Sequence, residues 1–334
     1  MHRLLAIVLG AALAVPVLAA EPDLPAPQAQ CAMLAKLSYP AADMPNATQK
    51  AALKNCNVTK LYYGIGQRQD AVKARQCAFM PDTEDDVFVA RKGVLMMVYA
   101  NGEGVARDLS LAKKAACEAG GAPAELDGRL AHLRALAANP DNKTARIDYC
   151  DDVTSGLMGG YCSSVQTGLR DAERERALTA LTRSWKPNER AALQRLRQAA
   201  EAFIDARGSG EVDLSGTARA SMVLNEEKRQ RDAFFASLKA FEAGKLPRSG
   251  SAAYAARDRE LNAVYQQLKR LPESQFTTVK MADIQATQRL WLRYRDAWVE
   301  FGKLRYPSVP ADAWRAYFTQ QRTVMLKSLL SGRE

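Results

Sequence analysis

The chain has 334 residues, a formal net charge of +10 at pH 7 and only two histidines. Because His2 lies in the leader described below, a hydrolase triad or a histidine-containing metal site could be built only around His132. No two cysteines have the Cys-x-x-Cys spacing of a zinc site. We therefore expect no catalytic residue, no metal and no cofactor, and we interpret His132 as a surface helix residue.

Residues 1–20 have the pattern of a signal peptide. Arg3 provides a positive charge, residues 4–18 are mostly apolar, and Ala19 and Ala20 are small enough for a cleavage site. The pattern predicts a periplasmic or secreted protein. No later apolar run approaches the roughly 20 residues that span a bilayer, so no membrane span is expected.

Residues 61–78 contain a pattern that recurs 38 residues further along the chain. The matched positions are Gly64 and Gly102, Gly66 and Gly104, Asp70 and Asp108, and Ala74 and Ala112. Glycine permits the positive φ of a chain reversal, aspartate caps the helix that follows, and alanine allows close helix packing. The pattern predicts two helix–turn–helix units within a domain over residues 21–147, covered by flanking helices at 30–57 and 123–138. The second unit resembles a Sel-one-like repeat, and this resemblance implies a protein-binding scaffold.

All six cysteines lie between residues 31 and 162. In an exported chain an even number of cysteines predicts disulfides, although six cysteines allow fifteen pairings. The turn at residues 64–69 lies midway between Cys56 and Cys77. On antiparallel helices these two positions face each other, which predicts a Cys56–Cys77 disulfide.

Charge is distributed unevenly. Residues 150–334 hold 30 Lys and Arg against 22 Asp and Glu, a net of +8. Because acids and bases alternate at helical spacing, a solvated helix face is favoured over binding of nucleic acid or another polyanion. A short acidic run separates the two repeat units and consists of Asp82, Glu84, Asp85 and Asp86. This run is either a solvated connector or a docking patch for a basic partner.

Two helical segments near the C-terminus carry a paired motif. The motif residues are Asp258, Leu261, Asn262 and Tyr265 in the first segment, and Gln288, Arg289, Trp291, Tyr294, Arg295 and Asp296 in the second. This pair resembles the signature of the LprI-like family, named for a secreted bacterial lysozyme inhibitor. The resemblance implies an all-α fold without catalytic machinery.

A more divergent copy of the same pattern precedes it. Cys150, Thr154, Met158 and Cys162 resemble the opening of the LprI-like domain. A shift of 91 residues places four apolar positions on four others: Leu193, Leu196, Ala200 and Phe203 on Ile284, Thr287, Trp291 and Tyr294. A shift of 83 places Leu178 on Leu261. The chain is therefore interpreted as all-α, with a tandem of LprI-like helical-hairpin domains at 148–250 and 251–334.

Relatives usually have a cysteine after the Tyr-Arg-Asp motif, where this chain has Trp298. With the family's later cysteines missing, the neighbouring Cys150 and Cys162 are predicted to pair. A Cys31–Cys117 disulfide then follows by elimination.

The second copy has one apolar and one charged face on its motif helix. Trp291, Tyr294, Trp298 and Phe301 repeat at spacings of 3, 4 and 3 and are predicted to be core. The two motif helices are expected to pack antiparallel, with Arg295 reaching Asp258 or Asn262 across the hairpin. A partner-binding surface is the hypothesis for the outer face, formed by Arg289, Arg293, Asp296 and Glu300.

Two functions fit these patterns. The sequence slightly favours a scaffold or adaptor of the bacterial cell envelope that binds a protein partner through helical surfaces; no oligomeric state is predicted. The alternative is a direct inhibitor that occludes the cleft of a lysozyme-type enzyme, as the LprI resemblance implies. The net positive charge argues against this alternative, because common lysozymes are also basic and two positive proteins repel each other during encounter.

Overall fold

The structure is a computed structural model that describes residues 26–81, 90–142, 144–272 and 275–331. Within these ranges it contains α-helices, one short 3-10 helix at Ala41–Asp43 and no β-strand, so the all-α prediction is confirmed. The helices of the N-terminal half are α1 (Pro27–Leu34), α2 (Ala47–Ala52), α3 (Val58–Tyr63), α4 (Ala71–Ala78), α5 (Ala90–Asn101), α6 (Leu109–Ala119) and α7 (Pro123–Ala138). Those of the C-terminal half are α8 (Gly156–Leu181), α9 (Pro187–Gly210), α10 (Arg219–Glu242), α11 (Ser251–Arg270), α12 (Met281–Arg305) and α13 (Ala311–Ser331). None of the described helices is long and apolar enough to cross a membrane.

The two repeat units have the same turn geometry. All four matched glycines have positive φ: Gly64 at 73°, Gly66 at 70°, Gly102 at 66° and Gly104 at 69°. The Asp70 carboxylate accepts a hydrogen bond from the Lys73 amide at 2.9 Å and so caps α4. The equivalent Asp108 carboxylate caps α6. Helix–turn–helix pairs α3–α4 and α5–α6 therefore form as the repeated pattern predicts.

Backbone hydrogen bonds repeat at the same offset. The Asp70 amide donates to the Leu61 carbonyl at 2.9 Å, and the Asp108 amide donates to the Tyr99 carbonyl at 3.0 Å. Ala74 and Ala112 are completely buried, as close packing of each second helix requires. The expected flanking helices cover the units: α1 packs on α6 and α7, α2 on α4, and α7 on α6.

Three disulfides link elements of this half to one another and to the start of α8. They are Cys31–Cys117, Cys56–Cys77 and Cys150–Cys162, with Cα–Cα distances of 5.4, 6.0 and 5.7 Å. These are the same three pairs that the sequence predicts. The first joins α1 to α6 and the second joins the segment before α3 to α4, so both fasten the repeat units to their neighbours.

Helix α8 takes part in two separate hydrophobic cores. Its first half contributes Met158, Tyr161 and Val165 to the core of the repeat units. Its second half contributes Leu178 to a second core that extends along the chain to Leu326. Because α8 is one uninterrupted helix of 26 residues, it connects the two halves without a linker.

The six C-terminal helices form two triplets, α8–α10 and α11–α13, and the helices pack in the same way within each triplet. Helices α8 and α9 both pack on α10, and α11 and α12 both pack on α13. The two triplets meet where α9 packs on α12. At this crossing the Phe203 ring stacks on the Tyr294 ring with a centroid distance of 5.4 Å. Both triplets share a single core. The expected domain boundary between residues 250 and 251 lies between α10 and α11, and both of these helices contribute to that core.

The packing of α11 differs from the expected hairpin. Helix α11 packs mainly on α13, whereas α12 packs mainly on α9 and α13. The physical reason is that the broad aromatic face of α12 is already covered by those two helices. The narrower apolar stripe of α11, formed by Leu261, Val264 and Leu268, joins the same core from the side of α13.

Candidate partner-binding surfaces

The aromatic signature of the second copy lies in the core. Trp291 is 1% exposed and Trp298 is fully buried. The Trp298 ring stacks on the Phe318 ring at 5.0 Å and meets the Phe241 ring edge-on at 5.4 Å. Trp298 is therefore a large core side chain that joins α12 to α10 and α13.

The polar signature residues make different contacts from those expected. The guanidinium of Arg295 lies over the Trp291 ring, 5.2 Å from its centroid, and its Nε donates to the Asp296 carboxylate at 3.0 Å. Asn262 donates to Asp258 within their own helix at 3.1 Å. The predicted clamp from Arg295 to Asp258 or Asn262 is therefore wrong, because α11 packs on α13 and not beside this face of α12.

A buried ionic network, which the sequence did not reveal, connects α9, α10, α12 and α13. Arg322 donates from Nη1 to Glu211 Oε2 at 2.8 Å and from Nε to the signature residue Gln288 at 2.8 Å. Arg207 donates to Glu211 at 2.7 Å and also pairs with Glu226. Burial opposes ionisation of Glu226, but the charges of Arg207 and Arg229 hold its pKa below the usual value. The network is part of the structural core, and its hydrogen bond from Arg322 to Gln288 links α13 to α12.

The outer face of α12 is accessible to solvent. Arg289, Arg293, Asp296 and Glu300 are all exposed. Asp296 pairs with Arg295, and Glu300 pairs with Lys303 at 2.6 Å. This face carries charges of both signs, and its role as a partner surface stays a prediction. The acidic run of Asp82, Glu84, Asp85 and Asp86 lies outside the described residues.

A cleft opens between α8, α9 and α10, in the first copy. Its volume is about 340 Å³. Leu178, Ala200 and Ile204 provide apolar lining from α8 and α9, while Phe234 and Phe235 line it from α10. Sequence reasoning missed this cleft, although one indication was present: the shift of 91 residues places the small Ala200 on the bulky Trp291.

Three ion pairs surround the apolar part of the cleft. Glu175 pairs with Arg197 at 2.7 Å, Glu201 pairs with Arg231 at 2.9 Å, and Asp171 pairs with Arg174. The three acidic side chains are 46% to 57% exposed, whereas the three arginines are only 9% to 34% exposed. The rim therefore presents its carboxylates to solvent and keeps its guanidinium groups closer to the protein.

Among the described residues, no group of three or more His, Cys, Asp or Glu side chains could hold a metal ion. His132 lies on α7 with its side chain 52% exposed, and its Nδ1 is 2.9 Å from an oxygen of Asp152. The structure therefore places His132 on the surface, as interpreted from the sequence.

In its described residues the protein is helical and disulfide-bonded, and one of its surface clefts lies between α8, α9 and α10 with three ion pairs at its rim. Comparison with known families finds that residues 246–329 match the family described as lysozyme inhibitor LprI. The match covers α11, α12 and nearly all of α13, so the chain carries an LprI domain there. No curated protein and no solved structure matches the chain.

Proposed function

We propose that this protein is an exported, non-catalytic binding protein that inhibits a lysozyme-type peptidoglycan-cleaving enzyme. The observation that supports this most directly is the match of residues 246–329 to the lysozyme inhibitor family. Three disulfides are also consistent with an oxidising compartment such as the periplasm or the extracellular space. The mechanism would be steric, because a rigid helical surface that covers an enzyme's cleft needs no chemistry of its own.

Local charge answers the objection raised by the net charge of +10. A basic enzyme is repelled by the whole protein at long range, but at contact distance it meets the charges of one surface. The exposed carboxylates of Asp171, Glu175 and Glu201 provide one such surface. The acidic run at 82–86 is a second candidate.

A scaffold or adaptor role is the second candidate function. It is favoured by the division of the molecule into a repeat core and a six-helix core, to both of which α8 contributes. Each core offers its own surface, which an adaptor would use for two partners. The corresponding proposed organisation is a Sel-one-like repeat domain at 21–147 and LprI-like domains at 148–250 and 251–334.

A turbidity assay tests the proposed inhibition. The mature protein is added in increasing molar excess to lysozyme acting on a suspension of bacterial cell walls, at low and at moderate salt. We expect saturable inhibition that weakens as salt increases, because screening reduces the attraction between carboxylates and a basic enzyme. Lysis that proceeds at the same rate at every excess would overturn inhibition.

Variants identify the acidic surface that contributes. Replacing the four acids at 82–86 by their amides, and separately replacing Glu175 and Glu201 by glutamine, removes one candidate surface at a time. The surface whose neutralisation weakens inhibition is the one that docks the enzyme. An adaptor would instead show no effect on lysis and would form a stable complex with a different envelope protein.

A further inference from the structure

The two triplets of the C-terminal half pack in the same pattern but differ in the size of one equivalent side chain. The 91-residue shift relates α9 to α12 and places Phe203 on Tyr294 and Ala200 on Trp291. Phe203 and Tyr294 stack on each other where α9 crosses α12. Equivalent residues meet in this way only at the axis of a two-fold arrangement, so the structure supports the alignment that places Ala200 on Trp291.

The consequence of this difference is an open space. In the second copy Trp291 is 1% exposed and helps to fill the core. In the first copy Ala200 occupies the equivalent place and lines the cleft of about 340 Å³, together with Leu178, the equivalent of Leu261. The cleft thus lies where the side chain of a tryptophan would be expected, and it remains open to solvent on one side.

We propose that this cleft binds an aromatic side chain flanked by lysine or arginine, presented by a partner protein. The aromatic part is argued from shape and lining. The volume lies at the lower end of the range of about 300–1,000 Å³ for ligand pockets. Phe234 and Phe235 provide ring faces and edges for aromatic contacts. A single buried aromatic anchor in such a pocket is also the usual form of an interface hot spot.

The flanking positive charge is argued from the rim. Asp171, Glu175 and Glu201 present the more exposed charges around the opening. A lysine or arginine next to the anchor would therefore meet carboxylates first. An acidic residue in the same place could not pair with the arginines of the rim, because these are less exposed and already paired with carboxylates. Only the identity of the partner, a basic enzyme, rests on the proposed function.

A peptide assay without any enzyme tests the cleft directly. The probe is acetyl-Arg-Trp-Arg-amide carrying a fluorinated indole, and its binding to the mature protein is followed by fluorine NMR. We expect saturable binding, with at least tenfold weaker binding of the unlabelled competitor peptides acetyl-Arg-Ala-Arg-amide and acetyl-Glu-Trp-Glu-amide. Equal competition by the alanine peptide would overturn the aromatic site, and equal competition by the glutamate peptide would overturn the role of the rim.

Filling the cleft provides the matched variants. Ala200→Trp installs the side chain of the second copy and is expected to weaken peptide binding at least tenfold. Leu292→Trp adds the same side chain on the exposed face of α12 and is expected to leave binding unchanged. If Ala200→Trp folds and still binds the peptide, the proposal is wrong. If it does not fold, Ala200→Leu and the double variant Glu175→Gln/Glu201→Gln carry the test, and binding unchanged in both would overturn it.

The turbidity assay separates this proposal from the proposed function. Inhibition that persists in a folded, peptide-negative Ala200→Trp variant would keep lysozyme inhibition and assign it to another surface. Peptide binding by a protein that does not inhibit lysozyme would keep the cleft and reject the enzyme as its partner.

Discussion

Arg322 and Glu211 form a fully buried ion pair although 111 residues separate them along the chain. Arg322 lies on α13 and Glu211 follows the last residue of α9, so the pair fastens the second triplet to the first. Glu211 is shared with Arg207, and Arg322 is shared with Gln288. The two opposite charges therefore compensate each other, and hydrogen bonds to Arg207 and Gln288 complete their coordination at a site that is not exposed to solvent.

Arg322→Met is expected to lower the free energy of unfolding by about 3–5 kcal/mol, because it leaves a buried carboxylate with only part of its compensation. Urea denaturation provides the measurement. Arg315→Met is the control on the same helix, since Arg315 forms a partly exposed pair with Asp312 that should contribute at most about 1 kcal/mol. Similar losses for both variants would show that Arg322 is not buried as described.

Trp291→Ala is expected to cost about 3–5 kcal/mol of stability, the usual effect of truncating a buried tryptophan. The neighbouring Leu292→Ala serves as control, because Leu292 is 38% exposed and should lose much less. Thermal melting of both variants decides the matter. If the Trp291→Ala protein keeps the melting temperature of the parent, Trp291 is exposed and its role in partner binding gains support.

Gly104→Ala is expected to destabilise the protein more than Gly66→Ala. The two glycines are equivalent in the repeats and have nearly the same φ, 69° and 70°, so the backbone strain of an alanine is the same. A Cβ at position 104 would lie 2.9 Å from the amide nitrogen of Val72, whereas a Cβ at position 66 would meet nothing within 4 Å. Denaturant midpoints that shift equally would mean that strain alone matters and that the contact with Val72 can relax.

Mass mapping of a non-reduced digest should find three linked peptide pairs: Cys31 with Cys117, Cys56 with Cys77, and Cys150 with Cys162. Loss of the first bridge is expected to cost more stability than loss of the third, because it closes a loop of 86 residues instead of 12. In the chain-entropy model this difference is about 1.7 kcal/mol. Paired serine variants test the order, and a peptide linking Cys77 to Cys117 would refute the pairing.

Alkaline pH is expected to destabilise the protein. Burial raises the pKa of Tyr63, Tyr294 and Tyr306 above the ordinary value of 10.0. Above pH 10 the unfolded chain loses tyrosine protons that the folded protein keeps, so stability falls as pH rises, by up to about 1.4 kcal/mol per pH unit for each such tyrosine. Urea midpoints below and above pH 10, with tyrosinate absorbance as a second probe, measure the effect. A stability that does not change across this range would contradict it, and Tyr294→Phe should reduce the slope.

Local patterns in the sequence predicted the local features of the fold. The repeat glycines, the capping aspartates Asp70 and Asp108, and the burial of Trp291 all depend on spacing within one helix or turn. The partner of Arg295 and the neighbour of α11 depend on how distant helices assemble, and the motif contained no information about α13. The ion pair of Arg322 with Glu211 could not be predicted for the same reason, since each residue alone resembles an ordinary surface charge.

The cleft was predictable from the sequence only in part. Its cause, an alanine at the place of a tryptophan, was present in the alignment of the two copies. Its existence also required that Phe234 and Phe235 of α10 lie beside Ala200 without filling the space, which only the packed structure reveals.

The continuity of α8 gives the molecule a fixed spacing. A helix of 26 residues is about 39 Å long, and each of its ends is embedded in a different core. Surfaces on the repeat half and the cleft on the C-terminal half are therefore held at a set distance by a rigid rod. A partner that touched both would make the second contact at high effective concentration, without the loss of chain entropy that a flexible tether imposes. Two individually weak contacts could in this way sum to a long-lived complex.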